Sequence, residues 1–434
     1  MTTESIPGLG DIDLSALEFW ARPLDERMTA FAALRRREHP VFFTELPVPF
    51  VPSGKGYWAL VRHADVSEAS RHPDIFSSEP SATTIPDLPA YLGPFFGSLI
   101  NLDDPRHAKI RRIVSRAFTP RMLARTEDDV RRRATRIVDE LIASGPGDFV
   151  AKVAVRLPVE VICGMLGIPE RHHARVIART NVILGNSDVE YTGVSPGNLS
   201  RLSLARALLK IVRAARDLHR LAAEIGRERM KHPTDDLTSA LVNANVDGER
   251  LTTRELGSFF LLLVVAGNET TRTALGHALK LFTDFPDQRR LLLEDFDARI
   301  GGAVEEIVRY ATPVIYMRRN VTRDHSMNGH TYRAGDKVLL FYNSANRDEE
   351  VFADPDAFDI TREHSPHVGF GGPGPHFCLG ANLARREITI MLEELFTRIP
   401  DIHASGEPDR LLSGFINGYK RLPCAFTVPG ATQE

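Results

Sequence analysis

Along residues 253–283 the apolar positions recur three and four apart, around the run FFLLLVVA at 259–266. That spacing predicts a long helix buried on most of its faces. The same period predicts helices near 26–38, 64–72, 105–118, 121–144, 155–166, 202–231, 286–296, 301–311 and 378–398. Prolines or glycines punctuate many of their ends. Strand patterns are few. GYWALVRH (56–63) and KVLLFY (337–342) are the clearest, with HTYRAGD (330–336) as a turn-rich partner. The tail, 413–428, reads as irregular β structure. The expected architecture is mainly α with small β sheets, one domain over 1–434, with residues 1–20 as an extended N-terminal arm. Two polar stretches, 76–100 and 182–201, are long for connections and read as binding loops or lids.

Composition narrows the function. The net charge of −3 over 434 residues gives no general affinity for polyanions, and no nucleic-acid-binding motif occurs. Cys163, Cys378 and Cys424 are too few for a disulfide framework or a four-thiolate zinc site. The polar, acidic start lacks a signal peptide's basic and apolar regions. The eight residues of 259–266 fall far short of the roughly 20 that span a bilayer. A reducing, cytoplasmic setting without a transmembrane anchor is expected.

Residues 369–380, GFGGPGPHFCLG, surround Cys378 with glycines and prolines. Gly369-x-Gly371-x-x-Gly374 has the spacing of a dinucleotide fingerprint. That motif needs a strand before it, and about 20 residues on an acid that follows a second strand. Glu393 and Glu394 lie at that distance, but inside a continuous helical pattern, and TREHSPHV is a poor strand. The dinucleotide reading is rejected. A structural cysteine in a glycine-rich turn and a metal-thiolate loop both stay open. For the second, a cysteine at a helix start is favoured as the anion. Flanking glycines let backbone amides approach the sulfur. A single thiolate as the only protein ligand suits a haem iron.

Three more constellations stand out. AGNETT (266–271) interrupts the long apolar helix, with Thr270 one turn after the small Ala266. A buried Glu269 is expensive without a task, and a carboxylate beside a hydroxyl suits proton delivery; a kinked helix with a capping acid is the alternative. Glu306-x-x-Arg309 is a helical ion pair with apolar neighbours, read as structural. His107-x-x-x-Arg111 shares a helix face and opens a basic stretch that runs to Arg125. It reads as a basic surface, or as a clamp for carboxylates and a docking face for an acidic partner.

Taken in order, DDPRHAKIRRIVSRAFTPR (103–121), AGNETT (266–271), EEIVR (305–309), NSANRDEEVFADPDAFD (343–359) and GGPGPHFCLGANLAR (371–385) resemble the cytochrome P-450 superfamily of haem-thiolate monooxygenases over nearly the whole chain. The resemblance implies the cytochrome P-450 fold, with haem b between the central helix and the cysteine loop. Cys378 is then the iron ligand. His107, Arg111, His376 and Arg319 reach the haem propionates, with Arg318 a close competitor of Arg319. Ala266 and Gly267 flank the oxygen pocket with the catalytic Glu269 and Thr270, and Gly372 and Gly380 are loop glycines at the cofactor. Glu306 and Arg309 form the structural pair, joined by Arg362 or a neighbour. The family pattern has phenylalanine where Gly371 stands, and Phe370 sits one residue earlier.

The GFGG spelling, with ASRHPDIFSSEPS and LLLVVAGNETTR, resembles mycobacterial members that oxidise methyl-branched lipids, isoprenoids and sterol side chains. That implies ω-hydroxylation of a long apolar chain with O2, using electrons from a ferredoxin and its reductase. A terminal C–H is harder to break than its neighbours, so a narrow channel must present it. Leu263, Val264, Val314, Ile315, Met317, Phe415 and Ile416 are candidates to line that channel, and ordinary core packing is the alternative for each. The 85–100 loop offers aromatics for its mouth. A peroxide-driven peroxygenase and a noncatalytic haem or sterol carrier are the rival functions.

Overall fold

The computed structural model describes residues 12–46, 54–87, 98–117, 120–185, 188–192, 201–243 and 251–428. Its helices begin with α1 (Leu17–Ala21), α2 (Leu24–Arg35), α3 (His63–Arg71), α4 (Arg106–Ala117) and α5 (Pro120–Ser144). Next come α6 (Arg156–Met165), α7 (His173–Leu184), α8 (Val189–Thr192), α9 (Arg201–Lys231) and α10 (Leu237–Asn243). The last five are α11 (Thr253–Asp284), α12 (Pro286–Glu294), α13 (Phe296–Ala311), α14 (Tyr342–Ala345) and α15 (Ala381–Arg398). The described part of the expected arm is not all extended: Ile12 and Leu14 pack into the core, and the chain then turns into α1.

The central helix α11 starts at a capping box. The Glu255 N–H donates to Thr252 Oγ1 at 3.2 Å, and the Thr252 N–H donates to Glu255 Oε2 at 2.9 Å. These two bonds satisfy donors that the first helical turn leaves free. Leucine, phenylalanine and valine around the helix then bury it against two cores. One, with Leu256, Phe259, Phe260 and Val264, also contains side chains of α6, α7 and α9. The other, with Ala274, Leu275, Ala278 and Phe282, also contains side chains of α5, α13 and α15.

The main sheet has five strands in the order β1 (Val41–Phe43), β2 (Tyr57–Leu60), β8 (Lys337–Phe341), β5 (Tyr316–Val321), β3 (Phe76–Ser77). KVLLF is buried along its whole length because β8 is the central strand, parallel to β2 and antiparallel to β5. Arg319 lies opposite Val338 in that register. The 330–336 segment does not pair with β8. Its strand β7 (His330–Tyr332) instead forms a hairpin with β6 (His325–Met327), because Asn328 and Gly329 take the positive φ of a tight turn. In the tail, β12 (Pro423–Ala425) joins β4 (Gly147–Asp148) and β9 (His403–Ala404), while β10 (Asp409–Arg410) pairs with β11 (Tyr419–Arg421). Residues 88–97 and 193–200, within the two expected binding loops, lie outside the described residues.

Candidate active site

The cysteine loop runs from Val368 into α15. Its turn is set at Gly371, which takes φ +90° and donates its N–H to the Val368 carbonyl at 2.9 Å. The Cys378 N–H then donates to the Phe370 carbonyl at 2.9 Å, closing the loop. Cys378 has accessible surface. Burial nevertheless raises its thiol pKa, with the Gly380 N–H, Arg111 and Arg385 acting in the opposite direction. A thiol both accessible and desolvated faces a cleft inside the protein, not bulk solvent.

The glycines have another task than the one expected. A Cβ on Gly372 would stand 2.4 Å from Ser70 Oγ, and one on Gly374 would stand 2.2 Å from the Ser70 carbonyl. A Cβ on Gly369 would meet Val308 at 2.6 Å. They let the loop lie flat on α3 and α13. Gly380 has open space and supplies its N–H to the sulfur.

Four basic side chains gather beside this loop. The rings of His107 and His376 are 4.3 Å apart. His376 Nε2 bonds Ser78 Oγ at 3.0 Å. Its pKa is pushed down to about 3 by burial, and further by Arg319, His107 and Arg111. His107 Nδ1 meets Asp104 Oδ1 at 3.2 Å, while its buried Nε2 has no partner. Arg319 is buried and donates Nη1 to the Arg318 carbonyl at 2.7 Å; burial lowers its pKa. Among the described residues it pairs with no carboxylate. Arg318 points elsewhere, pairing with Asp87 and donating to the carbonyls of Thr84 and Ile85. Arg111 donates to the carbonyls of Pro375 at 2.7 Å and Phe377 at 2.8 Å, so it ties α4 to the cysteine loop.

On α11, Ala266 is exposed although the helix is core on most sides, and Thr270 Oγ1 donates to its carbonyl at 2.7 Å. Gly267 is half-buried near Ile162. The expected acid–alcohol pair is not in contact. Successive helical residues point about 100° apart, and Glu269 is buried on another face, accepting from Arg272 Nη1 at 3.1 Å. Arg272 also donates to Asn181 Oδ1 at 3.0 Å and engages Tyr191. That acid–base network was missed, although an i, i+3 pair is visible in the sequence. Ser78 carries no pattern of its own and was missed too.

Of the expected channel residues, Leu263, Val314, Met317 and Phe415 are half-buried, and a backbone bridge joins Val314 to Ile416. Ile416 is fully buried. Val264 packs into the α11–α9 core and Ile315 into the core of α2 and Phe341, so both serve packing. Glu306 and Arg309 form a closed ion pair at 2.7 and 2.8 Å, and Arg362 Nε reaches Glu306 Oε1 at 3.2 Å. On the expected docking face, Arg106 pairs with Glu255, Arg385 with Glu305 and Arg386 with Glu127. The side chains of residues 116–125 lie outside the described ones.

The family model for cytochrome P450 matches residues 54–399. A methyl-branched lipid omega-hydroxylase of Mycobacterium tuberculosis is 49% identical over 422 residues, covering 96% of this chain and 95% of the relative. A steroid C26-monooxygenase of Mycolicibacterium smegmatis is 37% identical, covering 99% of this chain and 96% of the relative. A Mycobacterium marinum cytochrome P450 solved in complex with pseudoionone superposes with a TM-score of 0.88 at 41% identity, covering 98% of this chain and 100% of that one. The family model spans most of the chain and the likenesses extend over nearly all of it: the chain belongs to the cytochrome P450 family.

Proposed function

We propose that the chain binds haem b through Cys378 and hydroxylates the terminal carbon of a methyl-branched lipid, an isoprenoid or a sterol side chain. One observation carries the cofactor assignment. Among the described residues His107 Nε2 is buried without a partner and Arg319 is a buried cation without a carboxylate, both beside His376. Two propionates supply the missing acceptors, so the residues present fit the group. When bound, the haem supplies the activation of O2 and the insertion of one oxygen atom into a C–H bond.

The chain's own residues do the rest. Gly380 N–H and the charges of Arg111 and Arg385 stabilise the thiolate. Arg385 is itself fixed by Glu305 and lies 4.4 Å over the Phe370 ring, which holds the loop. Half-buried Thr270, whose Oγ1 donates to the Ala266 carbonyl, would take up and pass a proton. Glu269 can exchange protons only by leaving Arg272, so Thr270 is the group in place and Glu269 a reserve. Half-buried Leu263, Val314, Met317 and Phe415 guide the chain end.

Support for the substrate class comes from the relatives' names, a methyl-branched lipid omega-hydroxylase and a steroid C26-monooxygenase. Electrons are supplied by a ferredoxin and its reductase in the cytoplasm. Among the described residues no helix is long and apolar enough to cross a membrane. The test is a reduced, carbon monoxide-bound spectrum followed by product analysis with branched fatty alcohols, isoprenoid esters and sterols. A Soret band far to the red and a terminal primary alcohol are expected. A histidine-type band overturns the ligand, and secondary alcohols as main products overturn the ω position.

A further inference from the structure

Five buried arginines of the described chain meet a carboxylate: Arg35 with Glu349, Arg272 with Glu269, Arg309 with Glu306, Arg318 with Asp87 and Arg347 with Asp356. Two do not. Arg319 is one, and the proposed propionate accounts for it. The other is Arg27, on α2 and away from the cysteine loop.

Arg27 is 2% exposed, and its Nε and Nη2 have no hydrogen-bond partner among the described residues. Its guanidinium lies 5.9 Å from the Trp20 ring centroid, a cation–π contact that offsets part of the charge. It lines a small pocket, with room for about one water-sized group, with Met28, Ile315, Asn343, Arg347 and Asn417. Among the described residues no aspartate or glutamate lines this pocket. Arg347 brings a second guanidinium, already matched by Asp356. Asn343 Oδ1 is also buried there without a partner. The two ends of an amide fill the same shape, so Asn343 can equally present its NH2 to the pocket.

An arginine cannot escape burial by losing its proton. A buried, unmatched cation is costly, and a counter-ion removes that cost. We propose that this pocket is a binding site for one small monovalent anion of the halide class, held by Arg27 Nε and Nη2 and the Asn343 amide. One uncompensated charge calls for one negative charge. The apolar walls from Leu24, Met28 and Ile315 suit a weakly hydrated ion better than a phosphate.

The place matters. Ile315 donates its N–H to the Phe415 carbonyl at 2.8 Å and accepts from the Tyr342 N–H at 2.9 Å. The Asn417 N–H donates to the Pro313 carbonyl at 3.0 Å. An ion at Arg27 therefore braces, from behind, the two segments that carry Val314, Met317 and Phe415.

The experiment is a thermal melt of the haem-loaded protein in sodium chloride, bromide or gluconate at equal ionic strength. A ligand of the folded state raises the midpoint with its concentration. The expected result is a saturable rise of about 2 °C or more in both halides over gluconate. A bromide-soaked crystal is expected to show an anomalous peak against Arg27. The Arg27→Met variant is expected to lose the halide dependence, and Arg319→Met to keep it, which separates this site from the haem. Equal midpoints in halide and gluconate, or a pocket density without anomalous signal, overturn the proposal and leave a water-filled pocket.

Discussion

Arg309 and Arg319 are both arginines with almost no exposed surface, and their surroundings are opposites. Arg309 gives two bonds to Glu306 and three to the carbonyls of Asn346, Pro355 and Ala357. Arg319 bonds one backbone carbonyl and adds its charge to His376 beside it. The first region is closed on itself: every strong donor finds an acceptor the chain supplies. The second is left open toward a partner the chain does not supply. Buried charge by itself marks neither fold nor function; its state of satisfaction separates the two.

Removing a partner on the closed side is the largest test of that contrast. Glu306→Leu strands Arg309 as an unpaired buried cation, with an expected cost of about 3–5 kcal/mol. Thermal melts should fall equally with and without haem, and an unchanged melt would erase the distinction. Next comes pH. His277 is buried on the closed side, donating Nε2–H to the Asn417 carbonyl at 2.7 Å and accepting at Nδ1 from the Tyr419 hydroxyl. Burial pushes its pKa down to about 4, with the Asn417 carbonyl opposing and Arg347 adding. The unfolded chain takes up this proton near pH 6.5 and the folded one near 4, so stability drains as pH falls through that window, by roughly 3 kcal/mol. Chemical denaturation across the window should show the loss, and His277→Gln should flatten it.

On the open side the sign reverses. Arg319→Met removes an unmatched charge, so the haem-free protein should be as stable as before or more so. Haem affinity should fall by roughly 10–100-fold, the worth of a charged hydrogen bond. Haem transfer to an apo-globin reads the second effect. Destabilisation of the haem-free protein would move Arg319 to the closed class. The smallest change is Thr252→Ala at the cap of α11, about 1 kcal/mol in denaturant unfolding with no effect on haem affinity.

The sequence made some of this legible and hid the rest for identifiable reasons. α11 and β8 announce themselves because their apolar residues follow one period or none at all. β5 was hidden because Arg318 and Arg319 sit mid-strand, where buried charge is unexpected, and Asp87 matches only the first. α7 was hidden because HARVIARTNVIL is rich in β-branched residues, which weigh against a helix until packing overrides them. Cys378, His107 and His376 could be picked out by motif, and the structure brings them together. The motif favoured Arg319 over Arg318 only narrowly, since alternation along a strand separates them only once both faces are known. The channel residues were no more legible, because an apolar side chain looks alike in a core and in a lining: Val264 and Ile315 went to the core.

The seat of Gly372 and Gly374 on Ser70 has a consequence for how the protein is made. Ser70 leaves the ribosome early, and the cysteine loop follows only near the end of synthesis. The seat of that loop on α3 joins residues about 300 apart in sequence, so its docking is a late, long-range contact. On the proposed function, haem capture would wait for that loop, and a nascent chain stalled before residue 369 would lack it.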